Sequence, residues 1–272
     1  MENVSMVPVS VVVPCFRAAA TIGRALRSVA GQTVLPSEII IVDDGSGDDT
    51  ADRVEQVASG LELPVLLRVL RQRENRGAGE ARNAGWNVAT AGYVAFLDAD
   101  DAWHPRKLER QYAFMEAHRE IGISGHRHRV VLDAEPTASA RLDTGYQTLV
   151  RRDLLVANRF VTPSVMVRAG LPLRFAMDKR HMEDHHLWAL AACEGVGIAL
   201  LDAELCDIFK PAFGHTGLSA QLWRMEMGEL DSYRRLRSAG HLGAAAWAAW
   251  SAWSLAKFAR RLAIVAIRRA VR

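Results

Sequence analysis

Short β-branched segments alternate with alanine-rich, amphipathic segments through the first half of the sequence, and this alternation restricts the possible folds more than any other feature. Residues 9–13 and 37–42 are β-branched runs bounded by Pro, Gly and Asp, a pattern typical of buried strands. Residues 18–31, between them, carry apolar side chains at helical spacing and end at Gly31. Repetition of this order predicts an α/β fold with a parallel sheet that is covered by helices on both faces.

The alternation continues to residue 118 and becomes irregular beyond residue 125. The further elements predicted in the first half are helices at 48–58 and 78–90, strands at 64–70 and 92–97, and a helix that begins at Pro105. Those predicted in the second half are a polar loop at 132–145, a helix at 147–157, a strand at 161–167 and a helix at 183–194. No repeat or low-complexity linker separates the two halves.

Composition excludes several functional classes. The chain has 272 residues, and its 34 Lys and Arg against 31 Asp and Glu give a net charge of +3, too small to indicate a nucleic-acid partner. Cys15, Cys193 and Cys206 form no CxxC pair, so we predict neither a disulfide framework nor a structural zinc site, and a reducing cytoplasm fits best. The first residues carry an acid and no basic region ahead of an apolar run, which disfavours a secretory signal.

Aspartates are crowded at the ends of two predicted strands. Asp43 and Asp44 follow the second strand, and Asp98, Asp100 and Asp101 follow the fourth. The carboxyl ends of parallel strands meet at one edge of a sheet, where ligands of such sheets bind. Like charges this close repel unless a cation or hydrogen-bond donors compensate them. The D-x-D spacing therefore indicates a Mg²⁺ or Mn²⁺ ion held by carboxylates and substrate phosphates.

Local capping is the alternative for these acidic stretches, and the sequence leaves it open. Ser46 or Asp48 in D-D-G-S-G-D-D-T suits the start of a helix, where a side-chain oxygen accepts from a backbone N–H. Capping does not easily explain Asp43 and Asp44, because both precede the turn.

Three segments closely resemble the family 2 glycosyltransferases of GT-A fold. They are P-C-F-R-A-A-A-T-I-G-R-A-L-R-S-V-A-G-Q-T at 14–33, E-I-I-I-V-D-D-G-S-G-D-D-T at 38–50 and R-N-A-G-W-N-V-A-T-A-G-Y-V-A-F-L-D-A-D-D at 82–101. The resemblance is dense over residues 8–118, and further along it rests on M-E-D-H-H-L-W at 182–188 and K-P-x-x-G-H-x-G-L-S at 210–219. It implies a GT-A fold, that is, a Rossmann-like, mostly parallel sheet flanked by helices, here with a C-terminal helical extension.

The resemblance implies roles for the residues at the strand ends. Pro14 and Phe16 are expected to line the nucleoside pocket of a nucleotide-diphosphate sugar, and Asp44 to accept a hydrogen bond from the pyrimidine ring. Asp98 is expected to contact the ribose region. Asp100 is expected to hold the Mn²⁺ or Mg²⁺ ion that bridges the diphosphate.

Two basic residues have roles that rest on the resemblance alone. Arg82, on the helix before the fourth strand, is expected to add a cationic contact to the donor, and the alternative is a solvated surface arginine. His215, in the 210–219 segment, is expected to reach the metal or the diphosphate.

The acidic start of the predicted helix at 183–194 supplies the candidate catalytic base. Inverting glycosyl transfer needs a group that takes the proton from the acceptor hydroxyl, and the resemblance assigns this role to Asp184, with Glu183 orienting it. The alternative is that both acids only favour a helix N-terminus. His181 and His185, four residues apart, leave open a zinc site, although further ligands are missing.

Residues 244–272 combine tryptophans, alanines and cations. Their apolar run ends at Lys257, short of the ~20 residues needed to span a bilayer. Lys257, Arg261, Arg268 and Arg272 fall on one helical stripe, which predicts a helix lying at an anionic membrane surface. The alternative is a helix packed on the catalytic domain or on a second subunit.

These observations predict a cytoplasmic, hexosyltransferase-type enzyme, peripheral on the inner face of the cell membrane. The resemblance implies transfer of a sugar from a UDP- or dTDP-linked donor to a glycan or lipid-linked acceptor in surface polysaccharide or glycolipid assembly. No nucleic-acid partner is expected. We assign donor binding to residues 1–125, acceptor binding and catalysis to 126–220, and the C-terminal helices to 221–272. The alternatives are a non-catalytic nucleotide-sugar-binding scaffold and a nucleotidyltransferase, although P-C-F-R-A-A-A is unlike the glycine-rich loop expected of the latter.

Overall fold

A computed structural model describes residues 5–61, 64–131, 140–209 and 221–270. The strands are β1 (Met6–Cys15), β2 (Leu35–Asp43), β3 (Leu66–Arg71), β4 (Tyr93–Phe96), β5 (Ala102–Trp103), β6 (Ile121–Val130), β7 (Tyr146–Leu149), β8 (Met166–Arg168) and β9 (Gly197–Ile208). The helices are α1 (Ile22–Ala30), α2 (Thr50–Gly60), α3 (Ala78–Val88), α4 (Lys107–Ala117), α5 (Arg151–Val156), α6 (Glu183–Cys193), α7 (Leu222–Ser238) and α8 (Ala244–Ala270). The described strands form one sheet in the order β3-β2-β1-β4-β8-β6-β9-β5, and β7 also pairs with β9.

The first half of the chain forms the parallel part of this sheet, as predicted. β1 pairs in parallel with β2 and with β4, and β2 with β3. Alternate residues of β1 enter different cores: Val11 packs in the cluster that contains Leu26 of α1, and Val12 in the cluster that contains Trp86 of α3. Helices therefore cover both faces, and burial on both sides explains why β1 is a nearly continuous apolar run.

The second half adds antiparallel pairs that the sequence does not reveal. β8 runs antiparallel to both β4 and β6, and β5 and β7 run antiparallel to β9, while β6 and β9 are parallel. The strand predicted at 161–167 is only partly correct, because Thr162–Ser164 forms a 3₁₀ turn and the strand covers Met166–Arg168. A cleft lies at the carboxyl ends of the parallel strands, and this turn and the start of α6 form its far wall.

The C-terminal helices pack on the rest of the domain. Tyr233 and Leu236 of α7 share a small core with Ala189 of α6, and Trp247 and Trp250 of α8 pack against it. Within the described part of the chain, no helix combines the length and the apolarity that crossing a bilayer requires.

The predicted basic stripe of α8 is wrong at two of its four positions. Lys257 donates a hydrogen bond to Glu229 at 2.5 Å, and the guanidinium of Arg261 lies 3.6 Å from a carboxylate oxygen of Glu226. Both cations therefore face α7 and not a lipid surface. The side chain of Arg268 and the whole of Arg272 lie outside the described residues.

Candidate functional site

A cleft of about 910 Å³ lies at the carboxyl ends of β1, β2 and β4 and is closed on its far side by the start of α6. The structure brings seven of the predicted site residues to its walls: Pro14, Phe16, Asp44, Arg82, Asp98, Asp100 and Asp184. The eighth, His215, lies outside the described residues. The strand-end rule thus located the cleft correctly.

Three aspartates cluster where β4 ends. Carboxylate oxygens of Asp98, Asp100 and Asp101 lie within 4.8 Å of one another. The backbone N–H of Asp101 donates to the carbonyl of Asp98 at 3.1 Å, and Arg24 donates to the carbonyl of Asp100 at 2.5 Å, so the turn is fixed. An all-oxygen set of this kind suits Mg²⁺ or Mn²⁺, and Asp101 is a third candidate ligand that the sequence analysis did not assign.

Arg82 is buried and bridges two acids of the cleft. It is 4% exposed, and it donates to Asp98 at 2.7 Å and to Glu183 at 3.1 Å. Burial lowers the pKa of this guanidinium, but the charges on Asp98 and Glu183 outweigh that effect and raise its pKa overall. The alternative of a solvated surface arginine is therefore wrong, and both of its terminal nitrogens already bind protein carboxylates.

Asp184 lies at the first turn of α6 and lines the cleft. Its Oδ2 accepts a hydrogen bond from the Asn158 side chain at 2.9 Å and another from the Thr162 hydroxyl at 3.4 Å. Its Oδ1 accepts from the backbone N–H of His185 at 2.7 Å. Met182, immediately before the helix, has φ +59°, a left-handed conformation that is uncommon for residues other than glycine. Such strained positions concentrate at functional sites.

Asn158 and Thr162 are site residues that sequence reasoning missed. They belong to the segment that contains the 3₁₀ turn, and neither carries a motif that marks it as functional. Only the three-dimensional proximity to Asp184 identifies them. His185, by contrast, is turned away from a metal role, because it is buried and its Nε2 contacts the Leu154 carbonyl at 2.5 Å.

Glu183 is held in an environment that favours its protonated form. The residue is 8% exposed, and burial, followed by the charge on Asp184, raises its pKa to about 7 although Arg82 opposes the shift. Near neutral pH the protonated and ionised forms of this side chain are therefore both populated. Both interpretations of the acidic helix start, as helix-favouring acids and as site residues, are compatible with this position.

The raised pKa of Glu183 predicts a pH dependence of stability. Between its unfolded pKa near 4.5 and its folded pKa of about 7, the folded protein holds a proton that the unfolded chain has released. The free energy of unfolding should thus fall as pH rises through this window, by about 3 kcal/mol in total. We expect Glu183→Gln to lack this decline. Urea unfolding at pH 5 to 8 in EDTA, with the wild type as reference, measures the difference, and parallel pH profiles would contradict it.

Asp44 is fixed by backbone donors at the cleft wall. Its two carboxylate oxygens accept hydrogen bonds from the N–H groups of Arg76 at 2.8 Å and Gly77 at 2.7 Å. Gly77 has φ +100°, a conformation that disfavours other residues. Each oxygen retains acceptor capacity for a further donor, and Phe16, 45% exposed, offers a ring face at the same cleft.

The other acids of the second acidic stretch make local bonds, but these are not the predicted helix cap, because Asp49 precedes α2 and makes no side-chain capping bond. Asp48 accepts from the N–H of Thr50 at 3.1 Å, which is a local bond at the start of α2. Asp43 accepts from the N–H of Ser46 at 3.0 Å and so stabilises the turn. Asp44 alone among these acids lines the cleft.

Comparisons with known proteins agree with this geometry. The family described as "Glycosyl transferase family 2" matches residues 10–180. The amylovoran biosynthesis glycosyltransferase AmsB of Erwinia amylovora is 38% identical over 121 residues, which cover 43% of this chain and 37% of AmsB. The UDP-Glc:alpha-D-GlcNAc-diphosphoundecaprenol beta-1,3-glucosyltransferase WfgD of Escherichia coli is 34% identical over 107 residues, which cover 39% of this chain and 40% of WfgD. The chain thus spans about two fifths of the length of these curated relatives.

A solved structure shows the same fold over nearly the whole chain. The mannosyltransferase PcManGT from Pyrobaculum calidifontis, in complex with GDP-Man and Mn²⁺, superposes with a TM-score of 0.65 and covers 97% of this chain and 78% of its own. Its sequence is 20% identical. The similarity therefore extends the match of residues 10–180 to a common architecture that includes the irregular second half.

Proposed function

The chain belongs to glycosyl transferase family 2, and we propose that it is a metal-dependent, inverting glycosyltransferase that moves a sugar from a UDP- or dTDP-linked donor to an acceptor hydroxyl. One observation carries the proposal: three aspartates that can share a cation lie in the same cleft as a carboxylate, Asp184, that can take a proton. A donor site and a base on facing walls are what displacement at an anomeric carbon requires.

The donor would bind across the strand ends. Phe16 would contact the base and Asp44 would accept a hydrogen bond from a pyrimidine N–H, which favours uracil or thymine. WfgD is named for a UDP-linked sugar and PcManGT was solved with a GDP-linked one, so the nucleotide base is the first property to measure. Arg82 would act on the donor through Asp98, since it is buried behind that carboxylate.

The aspartate cluster would hold Mn²⁺ or Mg²⁺. Asp100 and Asp101 are the main candidates, and Asp98, already paired with Arg82, would complete the set. A divalent ion in this place would neutralise charge that builds up on the departing diphosphate. Part of the charge of the cluster is already compensated by protein, because Arg82 donates to Asp98.

Asp184 would act as the general base. The proton of the acceptor hydroxyl would pass to its carboxylate while the oxygen attacks the anomeric carbon from the face opposite the diphosphate, so that the configuration inverts. Asn158 and Thr162 would orient this carboxylate through their bonds to Oδ2. Glu183 would be a positioning residue, because it binds Arg82 and faces the same cleft.

The acceptor would be a glycan or a lipid-linked sugar, in surface polysaccharide or glycolipid assembly. AmsB is named for a biosynthetic pathway and WfgD for a diphosphoundecaprenol-linked acceptor. The far wall of the cleft, formed by residues such as Asn158 and Arg180, is the surface available to such a molecule. A lipid-linked acceptor would place the enzyme at the inner face of the membrane.

Calorimetric titration with UDP, dTDP, GDP and CDP, each with and without Mn²⁺, tests the donor site. We expect metal-dependent binding of UDP or dTDP, and a loss of at least about tenfold in affinity for Asp100→Ala, because that variant removes a candidate metal ligand. Asp52→Ala, which removes an exposed carboxylate on α2, is the matched control and should bind like the wild type.

This titration, together with assays of sugar transfer and of pyrophosphate release, distinguishes the proposed function from the alternatives. Equal binding with and without Mn²⁺, or an unaffected Asp100→Ala variant, would show that the cluster is structural. Preference for GDP would retain the enzyme class and correct the base. Nucleotide binding without sugar transfer to any acceptor would favour the scaffold alternative, and release of pyrophosphate from a nucleoside triphosphate would favour a nucleotidyltransferase.

A further inference from the structure

From Ser254 to Arg261, α8 has its polarity inverted relative to an ordinary surface helix. Two of its polar side chains face the protein and are hydrogen-bonded there: Ser254 donates to Glu226 at 2.8 Å and Lys257 to Glu229 at 2.5 Å. Both glutamates are buried, at 0% and 3% exposure. Amphipathic helices of soluble domains normally place their apolar stripe inward and their charges outward, so the outer surface of α8 has to be explained separately.

The outward positions of α8 are almost entirely apolar. Over residues 244–263, the exposed residues are Ala, Trp or Leu with one exception, Arg260. The largest are Trp253, Leu255 and Leu262, each between 45% and 47% exposed. A contiguous apolar patch on a folded protein commonly marks a membrane or protein interaction site.

The apolar surface continues onto α7 and reaches the rim of the cleft. The Trp223 ring lies 5.7 Å from the Phe258 ring of α8, and Trp223 and Met227 are 61% and 47% exposed. Met225, between them in sequence, lines the cleft together with Asp184. We define the outer face by Trp223, Met227, Trp253, Leu255, Phe258 and Leu262.

We infer that the outer face docks on an anionic lipid bilayer and holds the rim of the cleft at the membrane surface. Every charged residue of 244–272 is a Lys or Arg, and in the described ranges 221–230 and 244–263 no acid is exposed. Tryptophan and leucine bordered by cations suit the headgroup region of such a bilayer. A second copy of this chain would instead bring cations against cations.

This placement deepens the proposed function and rests on it for the identity of the acceptor. A sugar carried by a membrane lipid would enter the cleft past Met225 while its lipid stays in the bilayer. Binding would come from the apolar outer face, with cations adding attraction, because Lys257 and Arg261 are already engaged by glutamates. The prediction from the sequence placed the basic stripe against the membrane and relied on its charge. The present inference places the apolar outer face there and relies mainly on the burial of apolar side chains.

Flotation of the full-length protein with vesicles tests the inference. We expect binding to vesicles of phosphatidylcholine mixed with phosphatidylglycerol and weaker binding to phosphatidylcholine alone. Leu255→Glu combined with Leu262→Glu should weaken vesicle binding by more than about tenfold, because each exposed leucine loses its apolar contact with lipid. Trp223→Ser, on the other helix, should weaken it independently. Leu66→Glu, at an exposed leucine of β3, is the matched control and should bind like the wild type.

Two further readouts keep the outcomes distinct. Nucleotide binding should be unchanged in all these variants, which shows that they are folded and separates failure of the outer face from failure of the proposed function. A wild type that ignores anionic vesicles, or variants that bind them equally well, would overturn the inference. A wild type that sediments as a dimer, and a Leu255→Glu, Leu262→Glu variant that sediments as a monomer, would overturn it in favour of a protein interface.

Discussion

An Asp184→Asn enzyme is expected to transfer sugar about 10²- to 10⁴-fold more slowly than the wild type and to bind the donor nucleotide equally well. Asparagine preserves the shape of the side chain, and its oxygen can keep one of the bonds that now hold Asp184. What it loses is the ability to accept a proton from the acceptor hydroxyl. The loss should therefore appear in kcat and not in the donor Kd.

The matched control for Asp184→Asn is Asn158→Ala. That variant keeps the base and removes the 2.9 Å bond that orients it, so we expect a smaller fall in kcat. Initial rates with a fixed acceptor and calorimetry with the donor nucleotide give both quantities. Transfer at the wild-type rate by Asp184→Asn would show that Asp184 is not the base of this site. The absence of transfer by the wild type itself, with donor binding intact, would instead support the non-catalytic scaffold.

The candidate donor side of the cleft could be predicted because each of its aspartates directly follows a strand in the sequence. Asp44, Asp98 and Asp100 each follow a strand that the sequence shows as a β-branched or apolar run, and parallel strands bring such residues to one edge. Asp101, the third aspartate of the cluster with Asp98 and Asp100, is adjacent to Asp100 in sequence and joins the cluster through the turn of residues 98–101. A short-range pattern and one topological rule therefore bring most of the candidate donor-binding residues to one cleft.

The far wall could not be predicted, because its contacts join distant segments with weak local signals. β6, for example, contains Gly122 and Gly125, and glycine is depleted in strands. Asn158 reaches Asp184 across 26 residues, and Arg82 reaches Glu183 across 101. No periodicity or motif in one sequence reports pairs of this kind.

The orientation of α8 also depends on contacts with another segment, and it could not be predicted for the same reason. The sequence correctly predicts a helix and puts Lys257 and Arg261 on one side of it, but it does not reveal that this side faces α7. That depends on Glu226 and Glu229, which α7 places in the interface. Buried carboxylates require partners, so the cations turn inward and the apolar face turns out.

Replacement of Arg82 by methionine is expected to destabilise the fold by about 3–5 kcal/mol, because it leaves two carboxylates in a buried site without their shared cation. A surface arginine would predict a change within about 0.5 kcal/mol, and Arg73→Met, at an exposed arginine, supplies that reference. Urea unfolding in EDTA at pH 8, where Glu183 of the wild type is mostly ionised, measures both changes. Arg82→Lys should fall between them, since an ammonium restores the charge without the planar fork that now reaches Asp98 and Glu183.

A second substitution distinguishes a lost ion pair from lost packing. The Arg82 guanidinium also lies 5.4 Å from the Phe175 ring, so methionine removes a ring contact together with the charge. If the unpaired carboxylates cause the destabilisation, adding Glu183→Gln to Arg82→Met should recover at least about 1 kcal/mol, because an amide needs no counter-charge. If lost packing causes the destabilisation, the changes in unfolding free energy of the two substitutions should simply add. Recovery of stability without recovery of donor affinity would show that Arg82 both stabilises the fold and orients Asp98 for the donor.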